Sequence, residues 1–165
     1  MRDRFRLQIP EPAAAPSTRR DEPPLAPAVR LLVQRWRVEA ALRHLGFMLR
    51  VRGNRIAILF DTQVTVLELA LDPDGGLALS IRAFLGEVIL VAPARAFAEG
   101  RNEEAGPARI EIDEAGAVSV AWQHTFPDEV DGDLVTNGLS EVCDLAESIH
   151  ATLVEDFYLK GVNCP

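Results

Sequence analysis

The sequence predicts an α+β fold, an antiparallel sheet covered on one face by helices, in the order α-β-β-β-β-α-β-β-α. Apolar and polar residues alternate in several short segments, which is typical of strands with one buried face. Turn residues such as Gly53-Asn54 and those at 72–76 join consecutive segments closely, which favours antiparallel pairing. Longer segments near both ends of the chain carry helical spacing instead.

The first helix is predicted at 28–45, between Pro27 and Gly46. Its apolar residues fall on two nearly opposite faces. One face carries Leu31, Val38, Leu42 and Leu45, and the other carries Val29, Leu32, Val33, Trp36 and Ala40. Because a surface helix needs only one apolar face, we expect the second face to be covered within the domain or by a partner.

The strands are predicted as two hairpins and a pair between them. The first hairpin spans 47–60, the third and fourth strands span 64–71 and 77–82, and the second hairpin spans 108–126. Residues 85–91 show no clear pattern, and 93–104 is typical of a short helix. Pro127 ends the last strand, and the acidic segment 128–133 is interpreted as a solvent-exposed loop.

The last helix is predicted at 138–160, with Asn137 as its N-cap and Gly161 just beyond its end. Its apolar residues recur at steps of three and four and form a single stripe. That stripe consists of Leu139, Val142, Ala146, Ile149, Leu153 and Phe157. One apolar face indicates a helix that packs directly on the sheet.

The chain of 165 residues has the size of one domain preceded by a tail. Residues 1–27 hold six of the eleven prolines and are predicted to be disordered, while 28–165 form the α+β domain. Within the tail, 4–9 alternates and is a candidate for an added edge strand. No apolar run reaches the length of a membrane span, and no secretory signal is recognised. Cys143 and Cys164 are too few for a disulfide framework, so we expect a cytoplasmic protein.

Charge is unevenly distributed along the chain. Residues 1–55 carry 12 arginines and 5 acidic residues, whereas the remainder is strongly acidic and brings the net charge to −8. An acidic domain without aromatic residues among its arginines disfavours binding to nucleic acid. We therefore expect an acidic partner to meet the N-terminal third of the chain, in a contact that weakens as salt rises.

No catalytic or phosphate-binding motif occurs, and no cofactor or metal site is predicted. The best local cluster is Cys143, Glu147 and His150 on the last helix, where Glu147 and His150 have the Glu-x-x-His spacing of paired metal ligands. That motif occurs once, whereas carboxylate-bridged sites need it twice. Half-buried residues at the edge of the core are the simpler interpretation. His124 is predicted to be buried in the core.

The polar side of the strands carries Arg50, Arg52, Arg82 and Arg109. If these strands are neighbours, the arginines form one face able to bind an acidic peptide or a phosphate. A solvated surface of mixed charge is the alternative interpretation. The residues predicted to bind a partner are these four arginines with Leu32 and Trp36.

Three segments and the closing helix carry a family resemblance. They are Leu42-x-x-Leu45-Gly46-Phe47, Phe97-Ala98-Glu99-Gly100-Arg101-Asn102 and Ala108-Arg109-Ile110-Glu111-Ile112-Asp113. With the helix at 139–157, they resemble the YbjN family, proteins proposed to be bacterial sensory-transduction regulators. The resemblance implies a fold like that of type III secretion chaperones over about 35–160, and no catalytic residues. Gly100 departs from the family, which usually has a large residue there.

The leading hypothesis is a non-enzymatic protein-binding module, chaperone-like or regulatory, that binds a protein partner or client. It rests on the two-faced first helix and on the missing catalytic pattern. A homodimer through 28–45 is part of this hypothesis. One alternative is a metal-dependent or acid-base enzyme that uses the last helix. Another is an immunity-type inhibitor whose acidic surface blocks a basic toxin.

Overall fold

The helices and strands follow the predicted order, with one short strand added at the end. The computed structural model describes residues 25–104 and 106–161. The helices are α1 (Pro27–His44), α2 (Val91–Glu104) and α3 (Gly132–Phe157). The strands are β1 (Leu49–Arg52), β2 (Arg55–Leu59), β3 (Val64–Leu71), β4 (Leu77–Glu87), β5 (Arg109–Ile112), β6 (Ala117–Phe126) and β7 (Lys160–Gly161).

The strands form one antiparallel sheet in the order β1-β2-β3-β4-β6-β5, and β7 pairs with the end of β4. Its register places Ile56, Leu67 and Ile81 side by side across three strands, and Trp122 of β6 continues that row. Because side chains alternate along a strand, these residues share one face. The predicted α+β fold is therefore confirmed, and the ambiguous segment at 85–91 contains the end of β4 and the start of α2.

The core lies between this face of the sheet and the helices. The fully buried side chains of the strands meet a single stripe on α3 that includes Val142, Ala146, Ile149 and Leu153. On the other side, which we call the open face, the alternate residues of the same strands are exposed or half-buried, except for Ser119 and Ala121 of β6, which are buried. The sheet is thus covered on one side only, as the alternation predicts.

The predicted start of the last helix was wrong, because α3 begins six residues earlier. The side chain of Asp131 accepts hydrogen bonds from the backbone N–H groups of Asp133 (2.9 Å) and Leu134 (3.4 Å), which caps the helix. At its other end Tyr158, with φ of 56°, closes the helix in a left-handed conformation. Gly161, expected to follow the helix directly, instead pairs with Gly86 of β4.

The first helix is fastened at its N-terminal end by Arg30. Its guanidinium donates to the carbonyl oxygens of Gly75 (2.7 Å), Pro127 (2.8 Å) and Asp128 (2.8 Å). Three acceptors from two loops match the fork geometry of arginine. The segment 128–133, expected to be only a solvent-exposed loop, therefore also anchors α1 and caps α3.

The outer edge of β5 is closed by a side chain. Asn102 of α2 accepts from the N–H of Ile110 (2.8 Å) and donates to its carbonyl oxygen (2.9 Å), as a neighbouring strand would. Arg95 donates to the carbonyl oxygen of Ile112 (3.2 Å) on the same edge. Such capping protects an edge strand from pairing with other chains. No local sequence pattern predicts this role for Asn102.

The disordered tail predicted at 1–27 lies mostly outside the described residues, as do the candidate strand at 4–9 and Cys164. The structure does show that α1 starts at Pro27, one residue inside that predicted tail. Within the described part of the chain, no helix is both long enough and apolar enough to cross a bilayer.

The packing of α3 on the sheet can be tested at Gly138. A Cβ atom at this position would lie 2.9 Å from the Trp122 indole, closer than real side chains approach. We expect Gly138→Ala to lower the free energy of unfolding by about 1–2 kcal/mol, measured by urea titration. The matched control is Gly100→Ala, where no atom lies within 4 Å, and it should raise stability by about 0.5–1 kcal/mol. Equal effects of the two substitutions would contradict the proposed close packing.

The anchoring of α1 can be tested at Arg30. We expect Arg30→Gln to lower the free energy of unfolding by about 1–2 kcal/mol, because three hydrogen bonds to the cation are lost together. Arg37→Gln is the control, since the pair that Arg37 forms with Glu129 (2.7 Å) is solvent-exposed and contributes about 0.5 kcal/mol or less. A smaller loss at Arg30 than at Arg37 in urea unfolding would show that the three carbonyl contacts do not hold the helix.

Candidate protein-binding surfaces

The first candidate surface is an apolar stripe on the outside of α1. Leu25, Val29, Leu32 and Trp36 are 58%, 45%, 44% and 58% exposed, and we call them the α1 surface. Val29, Leu32 and Trp36, at steps of three and four residues, lie along one side of the helix, and Leu25 lies just before it, ahead of the N-cap residue Ala26. Exposed apolar residues grouped around a tryptophan are typical of protein contacts, which makes this stripe a candidate surface.

The opposite side of α1 packs on the domain. Val38 and Leu42 are buried there, and the buried Gln34 accepts a hydrogen bond from the N–H of Val130 (3.1 Å). The structure thus separates the two apolar faces that the sequence indicated. It places Leu32 and Trp36, two of the residues predicted to bind a partner, on the outer face.

The second candidate surface is the open face of the sheet. The register aligns Arg50, Ala57, Val66 and Arg82 across β1 to β4, and Arg109 lies beyond Ala121 in the same row. Arg52 of β1 lies opposite Arg55, one row along the strands. The four arginines predicted to share a face are therefore all on the open face.

The four arginines differ in what they contact. Arg82 forms an ion pair with Glu111 and donates to the hydroxyl of Ser119 (3.0 Å), and Arg109 donates to the carbonyl oxygen of Asn102 (2.6 Å). These two therefore fasten β4, β5 and α2 to one another. Arg50 and Arg52 have no hydrogen bond or ion pair to any residue in the ranges the structure describes. Charge available to a partner is thus concentrated on β1.

An apolar cavity of about 360 Å³ lies between the end of α1, the β2–β3 loop and α3. Its lining consists of Leu45, Phe47, Phe60, Thr136, Leu139, Ser140 and Cys143. Behind it the buried Gln63 donates from its amide to the sulfur of Cys143 (3.4 Å). No sequence pattern marked this cavity, because its walls come from segments far apart in the chain.

The residues of the enzyme hypothesis are not assembled into a site. Cys143 and His150 are half-buried, and Glu147 is exposed on the surface of α3. Burial raises the pKa of the Cys143 thiol, the hydrogen bonds from Gln63 and Thr65 oppose that rise, and Glu147 adds to it. Across 25–104 and 106–161, no three His, Cys, Asp or Glu side chains are grouped so as to hold a metal ion.

His124 was predicted to be buried, and this was wrong. It lies on the covered side of β6 with Trp122 and Phe126, but at the rim, where its ring is exposed. The imidazole stacks on the Trp122 indole with ring centroids 5.7 Å apart and meets the Phe126 ring edge-on at 4.7 Å. It therefore covers two core aromatic rings and leaves its nitrogens toward water.

Compared by sequence, the chain matches no protein-family model and no curated protein. Solved structures with the same fold are found. YbjN from E. coli, proposed as a transcription regulator, has a TM-score of 0.52 at 13% identity, covering 70% of this chain and 90% of YbjN. A chain of the ExsC–ExsE complex has a TM-score of 0.53 at 17% sequence identity, and the match covers 76% of this chain and 92% of that one. A chain of the HopA1–SchA chaperone–effector complex has a TM-score of 0.56 at 10% sequence identity, and the match covers 78% of this chain and 99% of that one.

These likenesses confirm the fold that the sequence resemblance implied. The structure is similar to YbjN and to chains of the ExsC–ExsE and HopA1–SchA complexes, over most of the length of each. Identities of 10–17% establish a shared architecture and do not transfer a function. The function is therefore inferred from the α1 surface and the open face of this chain.

The state of the Cys143 thiol can be tested by alkylation in a Cys164→Ser background. Because its pKa is raised above the ordinary value, the thiol is protonated at pH 8 and should react with iodoacetamide at least about tenfold more slowly in the native protein than in urea. The native rate should still be rising above pH 9. A native rate that is constant between pH 6 and 8 would indicate a thiolate, and would restore the enzyme hypothesis.

Proposed function

We propose that this chain is a non-enzymatic, chaperone-like protein-binding module of the bacterial cytoplasm. The α1 surface is the observation that carries the proposal. Three large apolar side chains stand in a row on a helix that is already packed on its other side, and Leu25 adds a fourth exposed apolar side chain just before the helix. Their burial against a partner protein removes apolar area from water at about 25 cal/mol per Å².

The fold supports the proposal as an analogy. Two of the structural neighbours are complexes, and one of these is described as a chaperone with its effector. In this chain, too, the helix that carries the apolar stripe lies at the surface of the domain and is held by Arg30 independently of any partner. A preformed surface of this kind loses little conformational entropy on binding.

A second copy of the chain is a further candidate for the same surface. The steps of three and four between Val29, Leu32 and Trp36 are those of a coiled-coil seam. Two α1 helices could therefore pack along their stripes around a two-fold axis. This homodimer and a foreign client would compete for the same side chains.

The proposal is tested with the double variant Leu32→Asp/Trp36→Asp. Val154→Asp is the matched control, because Val154 lies on α3 and is 42% exposed, close to the 44% of Leu32. If a second copy occupies the surface, the wild type and the control are dimers by light scattering, and the double variant is a folded monomer. If a client occupies it, all three are monomers, and proteins captured from the native host by wild type and control are lost from the double variant.

The circular dichroism spectrum and urea midpoint of the double variant must match those of the control, because the surface is already exposed and its change should not unfold the domain. An unchanged mass together with an unchanged set of captured proteins would contradict the proposed role of the α1 surface.

A further inference from the structure

We infer that the open face binds an acidic amphipathic segment of a partner protein, at a site separate from the α1 surface. This inference rests on the protein-binding role proposed above and names the chemistry of a partner. Its basis is a row of uncovered apolar side chains beside the two arginines of β1, which have no hydrogen bond or ion pair within the described part of the chain.

The apolar row crosses three strands and includes the residue before β1. Leu59 of β2 pairs with Val64 of β3, which pairs with Phe84 of β4, and Met48 precedes β1 beside Leu59. We call these four residues the open-face patch. Met48, Leu59 and Phe84 are 89%, 49% and 40% exposed, although they lie on the solvent side of a sheet, where polar residues are usual. The adjoining row adds Ala57 and Val66, both half-buried.

The charge beside this patch is unbalanced. Of the 11 arginines in the described ranges, all except Arg50 and Arg52 have a hydrogen bond or an ion pair. Two glutamates of the open face are already bound, Glu68 by Arg55 and Glu111 by Arg82, and Glu87 lies at the far end of β4 opposite Lys160. A partner that supplies carboxylates is therefore complementary to β1, and an arginine-rich partner is repelled.

This charge excludes two occupants from the chain itself. The segment 1–24 carries five arginines and four acidic residues, so it brings no excess of carboxylates to β1. The helix α1 of a second copy carries four arginines and one acidic residue, so it too is disfavoured. A separate acidic protein remains as the partner whose chemistry fits.

The spacing indicates how such a segment would lie. Arg50 and Arg52 are two residues apart on a strand, which is about 7 Å. Carboxylates at i and i+4 on a helix are about 6 Å apart along its axis. A helix aligned with β2 and β3 would place its apolar side on the open-face patch and a row of carboxylates above the two arginines.

The probe is a fluorescein-labelled peptide of 16 residues that forms an amphipathic helix, with leucines on one side and glutamates at i, i+4 along its flank. We expect fluorescence anisotropy to show that it binds the wild type, and that binding weakens about tenfold in Arg50→Glu/Arg52→Glu. Leu59→Ser should weaken it similarly. Arg101→Glu is the control for charge, since Arg101 lies on α2, and it should leave the affinity unchanged.

Reversing the charge of both the peptide and β1 distinguishes a lost contact from an unfolded variant. The same peptide with lysine in place of glutamate should fail to bind the wild type and should bind Arg50→Glu/Arg52→Glu. Amide chemical shifts in the wild type should move at Arg50, Leu59 and Phe84 on addition of the glutamate peptide, and should not move at Leu32.

Three results would overturn the inference. One is the absence of glutamate-peptide binding to the wild type at about 100 μM protein, an affinity too weak to matter. Another is binding that Leu32→Asp/Trp36→Asp removes and Arg50→Glu/Arg52→Glu does not, which assigns the peptide to the α1 surface. The third is a single-stranded oligonucleotide that binds the same arginines more tightly than the peptide. Because Leu32→Asp/Trp36→Asp alone tests the proposed function, failure of either idea is distinguishable from failure of the other.

Discussion

The burial of one face of the sheet against α3 is the interaction on which the other features of the structure depend. Leu67, Leu79 and Ile81 in the central strands are fully buried beneath the helix stripe that includes Val142 and Ile149. Each such side chain contributes about 1.5–3 kcal/mol when removed from water. Successive side chains of a strand point to opposite faces of the sheet. Burial of one set against α3 therefore determines which residues lie on the open face.

The packing of the sheet on the helices explains several of the arginines in the N-terminal part of the domain. In α1, Arg30 bonds loop carbonyl oxygens, Arg35 donates to the carbonyl oxygen of Gly53, and Arg43 pairs with Glu39. Arg30 and Arg35 stabilise the attachment of a helix that buries only a few apolar residues, and the Arg43–Glu39 pair stabilises the helix itself. Among the arginines of the described part of the first third, the positive charge is therefore mostly structural, and Arg50 and Arg52 are the ones that offer charge to a partner.

The sequence was sufficient for the features that depend on periodicity. Alternation located six of the seven strands and the covered face, and helical spacing separated the two sides of α1. The start of α3 could not be chosen in the same way, because Asp128, Asp131, Asp133 and Asn137 are all acceptable N-caps and only packing decides among them. The two-residue β7 is too short to carry a pattern at all.

The candidate surfaces were predictable only in part, for a related reason. The exposed stripe with Leu32 and Trp36 follows from the geometry of one helix. The pairing of Arg82 with Glu111 instead depends on β6 lying between β4 and β5, and the three acceptors of Arg30 are backbone carbonyl oxygens that have no side-chain signature. Local sequence patterns do not predict the pairing register of distant strands or which backbone carbonyl groups accept a hydrogen bond.

The two candidate surfaces are physically independent because the sheet lies between them. The α1 surface faces away from the covered side of the sheet, and the open-face patch lies on the other side of the same layer. A partner bound to one therefore leaves the other exposed. The direct chain connection is the short segment from Leu45 to Met48, in which Phe47 packs edge-on against Phe60 with ring centroids 6.0 Å apart. Because the packed Phe47 ring holds this connection in place, we expect binding on one side to leave the other unchanged, so the free energies of binding at the two surfaces should add.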